Sequence, residues 1–268
     1  IPGLIGSLVQ FTDHELHILT YSDLVGCDQF AKIDQVHFHI LKRPRMKYRL
    51  ASFFMLDRVK FGARLRTIEP DIVHGHGTDS TYGYVTTQCG FPYIITIQGI
   101  LSQILPTWKD RGVVDRMVSQ LLLGCEKKTI EEGKAFIANT AYVEEFVKES
   151  NRQAEIYTIE NVVQDIYFQA NGRNFAATDY ILFIGTISKS KGVEDLIRAF
   201  YAVKSAKPDL KLKIIGYGDE EYVRDVVVPL ISSFDLTGSI EFCGKRPAAY
   251  IAKMLEQALC LVVPSHVE

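Results

Sequence analysis

The 268 residues carry 30 Lys and Arg against 32 Asp and Glu, a formal charge of −2, with 47% hydrophobic and 23% charged residues. These proportions belong to a folded globular chain long enough for two domains; they exclude a disordered, collagenous or coiled-coil chain, and the near-neutral charge argues against a dedicated nucleic-acid binder. No run of 18 apolar residues offers a spanning helix, and the five scattered cysteines form no CxxC pair and follow no export leader, which points to free thiols in a reducing cytosol.

In chain order, short apolar runs alternate with helix-length segments. Strands are expected at Glu15–Thr20, Gln35–Ile40, Asp71–His74, Pro92–Ile97, Ala135–Ala138 and Glu155–Ile159, then at Tyr180–Ile184, Leu212–Ile215, Ser239–Phe242 and Leu259–Val263. Several are apolar on both faces, as buried parallel strands are. Between them, Val193, Leu196, Ile197, Phe200 and Val203 recur at helical steps. The βαβα rhythm predicts an α/β fold of parallel, doubly wound sheets. It falters over the polar stretch 161–179, which contains Asn171-Gly172, so the chain is divided into residues 1–165 and 166–268. The second part has few strands for a closed domain and is expected to be incomplete.

One segment is unbalanced. From Lys42 to Arg66 there are nine basic residues against one acid, Asp57, interleaved with Phe53, Phe54, Met55, Leu56 and Phe61. A basic amphipathic helix suits an anionic membrane surface; a helix with one buried and one solvated basic face gives the same pattern.

Ligands of open α/β sheets collect beyond the carboxyl ends of the strands, and four positions there carry candidate chemistry. In Asp71–Gly77 the strand is expected to end at His74, leaving His76 between two glycines as a donor to a sugar hydroxyl or a proton-transfer group. His74, still in the strand, is expected to be packed inside. Two satisfied histidines, or half a metal site, fit the same spacing. In Phe183–Phe200 a strand ends at Gly185 and a helix opens near Gly192, with Lys191 at its mouth: an anion site in general form, though not a Walker loop. A solvated loop lysine reads equally well. Gly216-Tyr217-Gly218 follows a strand, but Glu221 occupies the third glycine's place, so the dinucleotide fingerprint is broken. Finally, Lys245 and Arg246 follow one strand and Glu268 the next. There is no DxD, and no GxSxG elbow. His37 and His39 share a strand face without a further ligand set and are read as structural.

Taken together these segments resemble the retaining glycosyltransferases of family 4, which have the GT-B fold of two Rossmann-like domains. The resemblance rests on EPDIVHGHG, FPYIITIQG, CEKKTIEEGKAFIANTAYVEEF, YTIENVVQDIYF, YILFIGTISKSKGVEDLIRAF, LKIIGYGDEE and IEFCGKRPAAYIAKMLEQALCLVVPSHVE, in that order. It implies that Lys191, with the helix at Gly192 and the strand end at Gly185, holds a donor diphosphate. It places Gly218 and Arg246 by the nucleobase, Glu268 on the donor sugar, and His76 and Gln98 on the acceptor side. Gly3–Gly6 would be a remnant of a glycine-rich loop. It further implies a nucleotide-sugar donor, a glycan or lipid-linked acceptor, no metal cofactor, and a cytoplasmic protein at the inner membrane face. The pattern also departs: the family's arginine is Thr186, a histidine is Gln98, and PNG is Glu160-Asn161-Val162. An epimerase of the same fold and a non-catalytic sugar-binding module stay open beside transfer.

Overall fold

A computed structural model describes residues 2–107, 112–169 and 179–266. The chain divides into two units, Ile1–Val162 and Val163–Glu268.

The first unit begins with α1 (Pro2–Phe11), followed by β1 (Leu16–Ser22), β2 (Gln29–Ile33) and β3 (Val36–Lys42). These strands form one sheet in the order β1-β3-β2, with β1 parallel and β2 antiparallel to β3. β2 was not expected: all five of its residues are exposed, so it has no buried face to mark it, and Asp34 turns the hairpin in the left-handed region (φ 53°). Gly3 and Gly6 lie within α1, which corrects their reading as a loop.

Two helices follow, α2 (Met46–Ala51) and α3 (Met55–Ile68), where the basic segment had suggested a single one. Phe53 and Phe54 both take positive φ between them (48° and 59°). The break is held from inside. The carboxylate of Asp57, fully buried, accepts from Nε and Nη2 of buried Arg49 (3.0 and 2.7 Å) and from Thr81 Oγ1 (2.8 Å). Arg49 is therefore an internal counter-charge and not part of a basic surface.

The second sheet of this unit runs β4 (Val73–His76), β5 (Tyr93–Ile97), β6 (Ala135–Ala138), β7 (Glu155–Thr158), all parallel and in chain order. α4 (Thr81–Thr87), α5 (Leu101–Ile104), α6 (Val113–Glu132) and α7 (Ala141–Ser150) connect the strands. Ile95, Ile97, Phe136, Ala138, Val143 and Val147 make its core. Gly75 is buried against α4, and a Cβ there would lie 2.5 Å from Thr86 Oγ1, so its bareness lets α4 lie on β4.

The second unit carries β8 (Tyr180–Ile184), α8 (Val193–Ala206) and β9 (Lys211–Ile215). α9 (Glu220–Tyr222) then runs through a π turn into α10 (Val228–Ser233), followed by β10 (Ile240–Gly244) and α11 (Ala248–Gln257). The sheet order is β10-β9-β8, all parallel. Leu259–Val262 extends it: Leu259 and Val262 amides donate to the Tyr180 and Leu182 carbonyls, and Leu182 donates to Cys260. Alternate residues feed opposite faces. Phe183, Leu212 and Ile214 pack with Leu196, Ile197 and Phe200 of α8, while Tyr180, Leu182 and Ile215 pack with Met254 of α11. This is the expected doubly wound arrangement.

Candidate functional site

In the first unit, β4 runs two residues further than expected and includes His76. Residues i and i+2 of a strand share a face, so His74 and His76 stand side by side, ring centroids 5.8 Å apart and edge to face. This overturns the expectation of a buried His74: it is exposed, its Nε2 2.6 Å from Thr96 Oγ1, while Gly75 between them takes the inward position. His76 is half-buried. Burial pushes its pKa below the ordinary imidazole value, and the charge of Asp79 pulls the other way.

The loops beyond β4, β5 and β7 are tied into one layer. Thr78 Oγ1 donates to the Gly99 carbonyl (3.3 Å), and Gln98 and Asn161 exchange amide hydrogen bonds (3.1 and 3.3 Å). The loop after β5 is anchored from below by Glu126 of α6, which is 3% exposed and accepts from the amides of Leu101 and Ser102 (2.6 and 2.9 Å). Burial nevertheless raises its pKa. Sequence reasoning missed Glu126. The signal was present: it sits with Cys125, Thr129 and Ile130 on the buried stripe of its helix, a place where a carboxylate needs a partner.

In the second unit, the loops after β8 and β9 zip together. Gly185 donates to the Ile215 carbonyl (3.0 Å) and Ile187 to the Tyr217 carbonyl (2.8 Å), with Ile187 bridged to Gly218. Gly216, at φ +152°, has its Cα so near the Gly185 carbonyl that a Cβ would lie 1.8 Å from its oxygen. The strand ends at Gly185 and Gly218 are thus adjacent. Gly192 then opens α8 in the left-handed region (φ +64°), with half-buried Lys191 before it. The 264–266 segment closes over this turn: the His266 amide donates to Ser190 (2.9 Å), and His266 Nε2 lies 3.0 Å from Asp195. Gly185, Lys191 and Gly218 are therefore gathered at the carboxyl edge of one sheet. Arg246 follows β10 there but turns its guanidinium over Tyr250, 5.0 Å from the ring centroid, while Lys245 reaches Tyr217. Glu268 lies outside the described residues. Chemically, this edge offers backbone N–H groups at a helix start and a neighbouring ammonium, the donor set an oxyanion requires.

The family model described as Glycosyltransferase Family 4 matches residues 4–165, and the one described as Glycosyl transferases group 1 matches residues 168–268. No curated protein sequence matches the chain. Among solved structures, a sucrose-phosphate synthase from Thermosynechococcus elongatus is similar at TM-score 0.74 and 16% identity, over 99% of this chain and 69% of that one. An α,α-trehalose-phosphate synthase (UDP-forming) from Burkholderia vietnamiensis reaches TM-score 0.67 at 10% identity, over 98% of this chain and 74% of that one. Anabaena Alr3699/HepE in complex with UDP and glucose reaches 0.61 at 17% identity, over 86% of this chain and 61% of that one.

Proposed function

The chain belongs to the glycosyltransferases of GT-B fold, and from that premise we propose that it moves a hexosyl group from a nucleoside-diphosphate sugar to a glycan or lipid-linked acceptor with retention of anomeric configuration. The observation that carries the reading is the turn Ser188–Gly192, which sets Lys191 at the mouth of α8 beside the joined strand ends at Gly185 and Gly218. Support for the donor class comes from the neighbour bound to UDP and glucose.

In this reading the bond from the sugar's anomeric carbon to the diphosphate breaks, and its electron pair departs on the diphosphate oxygen. The acceptor hydroxyl oxygen bonds to that carbon on the same face and gives its proton to the leaving diphosphate. Lys191 and the first-turn amides of α8 stabilise the charge that develops, so no divalent metal is needed at this step. Arg246 and Gly218 border the nucleobase, and Glu268 contacts the donor sugar. His76, whose neutral form burial favours, holds a sugar hydroxyl, and Gln98, fixed by Asn161, lines the acceptor side.

The protein is cytoplasmic and peripheral in this reading; among the described residues no helix is long and apolar enough to cross a membrane. The test is release of nucleoside diphosphate with and without acceptor. Release that needs an acceptor supports transfer; turnover of the sugar nucleotide without one favours an epimerase; donor binding with no turnover favours a binding module, to which Thr186 and Gln98 lend some weight.

A further inference from the structure

The histidines of the first sheet form a group that is visible only once the strands are in register. His17 of β1 sits opposite His37 of β3, and parallel neighbours at one register share a pleat face. Their rings stack at 4.5 Å between centroids and 16° between planes. Glu15, in the loop just before β1, reaches the same two rings. Its Oε1 lies 3.2 Å from His17 Nε2 and 3.3 Å from His37 Nε2. All three ligand atoms lie within 4.8 Å of one another.

We propose that Glu15, His17 and His37 bind a divalent zinc-type ion, with water in the fourth position. Three observations carry this. First, an ion held at about 2.0–2.1 Å from tetrahedral ligands separates neighbouring ligand atoms by about 3.3–3.4 Å, and the two carboxylate-to-imidazole distances already match. Second, the other nitrogen of His17 is engaged: Nδ1 lies 2.9 Å from Nε2 of His39, which is 4% exposed. A metal-bound imidazole uses just such a partner to fix its ring and leave the opposite nitrogen for the ion. Third, the His17 and His37 side chains keep 24% and 15% exposure and Glu15 keeps 69%, so water and metal can reach the group.

Two imidazoles and one carboxylate select zinc and its transition-metal neighbours over Mg²⁺ or Ca²⁺, which require oxygen ligands. The site lies at the amino-terminal ends of β1 and β3, whereas His76 lies at the carboxyl end of β4. It clamps two strands together and takes no part in the transfer chemistry proposed above.

The experiment is a Co²⁺ titration of chelator-treated protein, followed by visible d–d absorption, with Zn²⁺ displacement to read affinity. The expected result is saturation at one equivalent with the intense bands of a tetrahedral ion, and displacement by one equivalent of Zn²⁺. Affinity should fall at least 10-fold in Glu15→Gln and at least 100-fold in His37→Gln, and be unchanged in His76→Ala. Glu15 is exposed and supports no core, so its variant keeps the fold. No saturable band in the wild-type protein overturns the proposal. So does equal affinity in the wild type and Glu15→Gln, which would leave the group a hydrogen-bonded cluster.

Discussion

Gly192→Ala tests the turn that positions Lys191. Alanine at φ +64° costs about 1–2 kcal/mol in the left-handed region. Its Cβ would also lie 2.0 Å from the Pro264 carbonyl oxygen and 2.8 Å from that carbonyl carbon. Both are backbone atoms, so relief requires the 264–266 segment or the turn itself to move by more than an ångström. That movement breaks the His266 to Ser190 hydrogen bond, worth about 1 kcal/mol, and overpacking of this kind costs about 1–3 kcal/mol. The sum is about 3–6 kcal/mol, which for a unit of this size is a fall on the order of 20 °C in the melting temperature of the second unit. Thermal unfolding followed by circular dichroism reads it. Gly6→Ala is the control: that glycine lies in α1 with nothing within 4 Å of an added Cβ, so alanine there should leave stability equal or slightly higher. A Gly192→Ala protein melting within about 2 °C of the wild type would refute the close approach of Pro264, and with it the account of how the turn is held.

Asp57→Ala should destabilise the first unit by about 3–5 kcal/mol in urea unfolding, because it strands the Arg49 guanidinium inside; replacing both partners by apolar residues should recover most of the loss. The His76 ring should titrate below the ordinary imidazole value in an NMR pH series. Asp79→Asn should lower it further, since the carboxylate opposes the effect of burial. The sign for stability follows: a histidine held neutral by the fold costs stability as pH falls below its unfolded value, and His76→Gln should flatten that part of the curve. Exposed Arg45, Lys47 and Arg58 flank exposed Phe53, Met55 and Val59. Reversing Arg45, Lys47 and Arg58 to glutamate should therefore abolish salt-sensitive binding to anionic vesicles, each charge contributing about 1 kcal/mol. Unchanged vesicle binding in that variant would assign the face to water.

What the sequence made legible was the inside of the parallel sheets. YIITI and YILFI are apolar on both sides and read as buried strands, KLKII keeps Leu212 and Ile214 inside in alternation with its two lysines, and Val193, Leu196, Ile197 and Phe200 do line one face of α8. What it concealed depended on neighbours distant in the chain. β2 buries no side chain and exists through its pairing with β3. The basic segment broke into two helices because Asp57 needs Arg49, a partner that composition counts as surface charge. His74 was misplaced by ending the strand two residues early; with β4 reaching His76, the two-residue period alone puts both rings on one face. His37 and His39 showed no companion ligands because His17 and Glu15 arrive only with the register of β1.

The central claim is that Lys191 and the turn before α8 hold the diphosphate of a sugar nucleotide during transfer. It is tested most directly by acceptor-dependent release of nucleoside diphosphate from wild-type protein and Lys191→Ala, with the melting temperature of each as a check on folding and the product's anomeric configuration read by NMR. The account predicts acceptor-dependent release with retention in the wild type. In the variant the rate should fall on the order of 30- to 1,000-fold, the equivalent of about 2–4 kcal/mol of lost charge stabilisation, at unchanged melting temperature. Near-normal release by Lys191→Ala would contradict it.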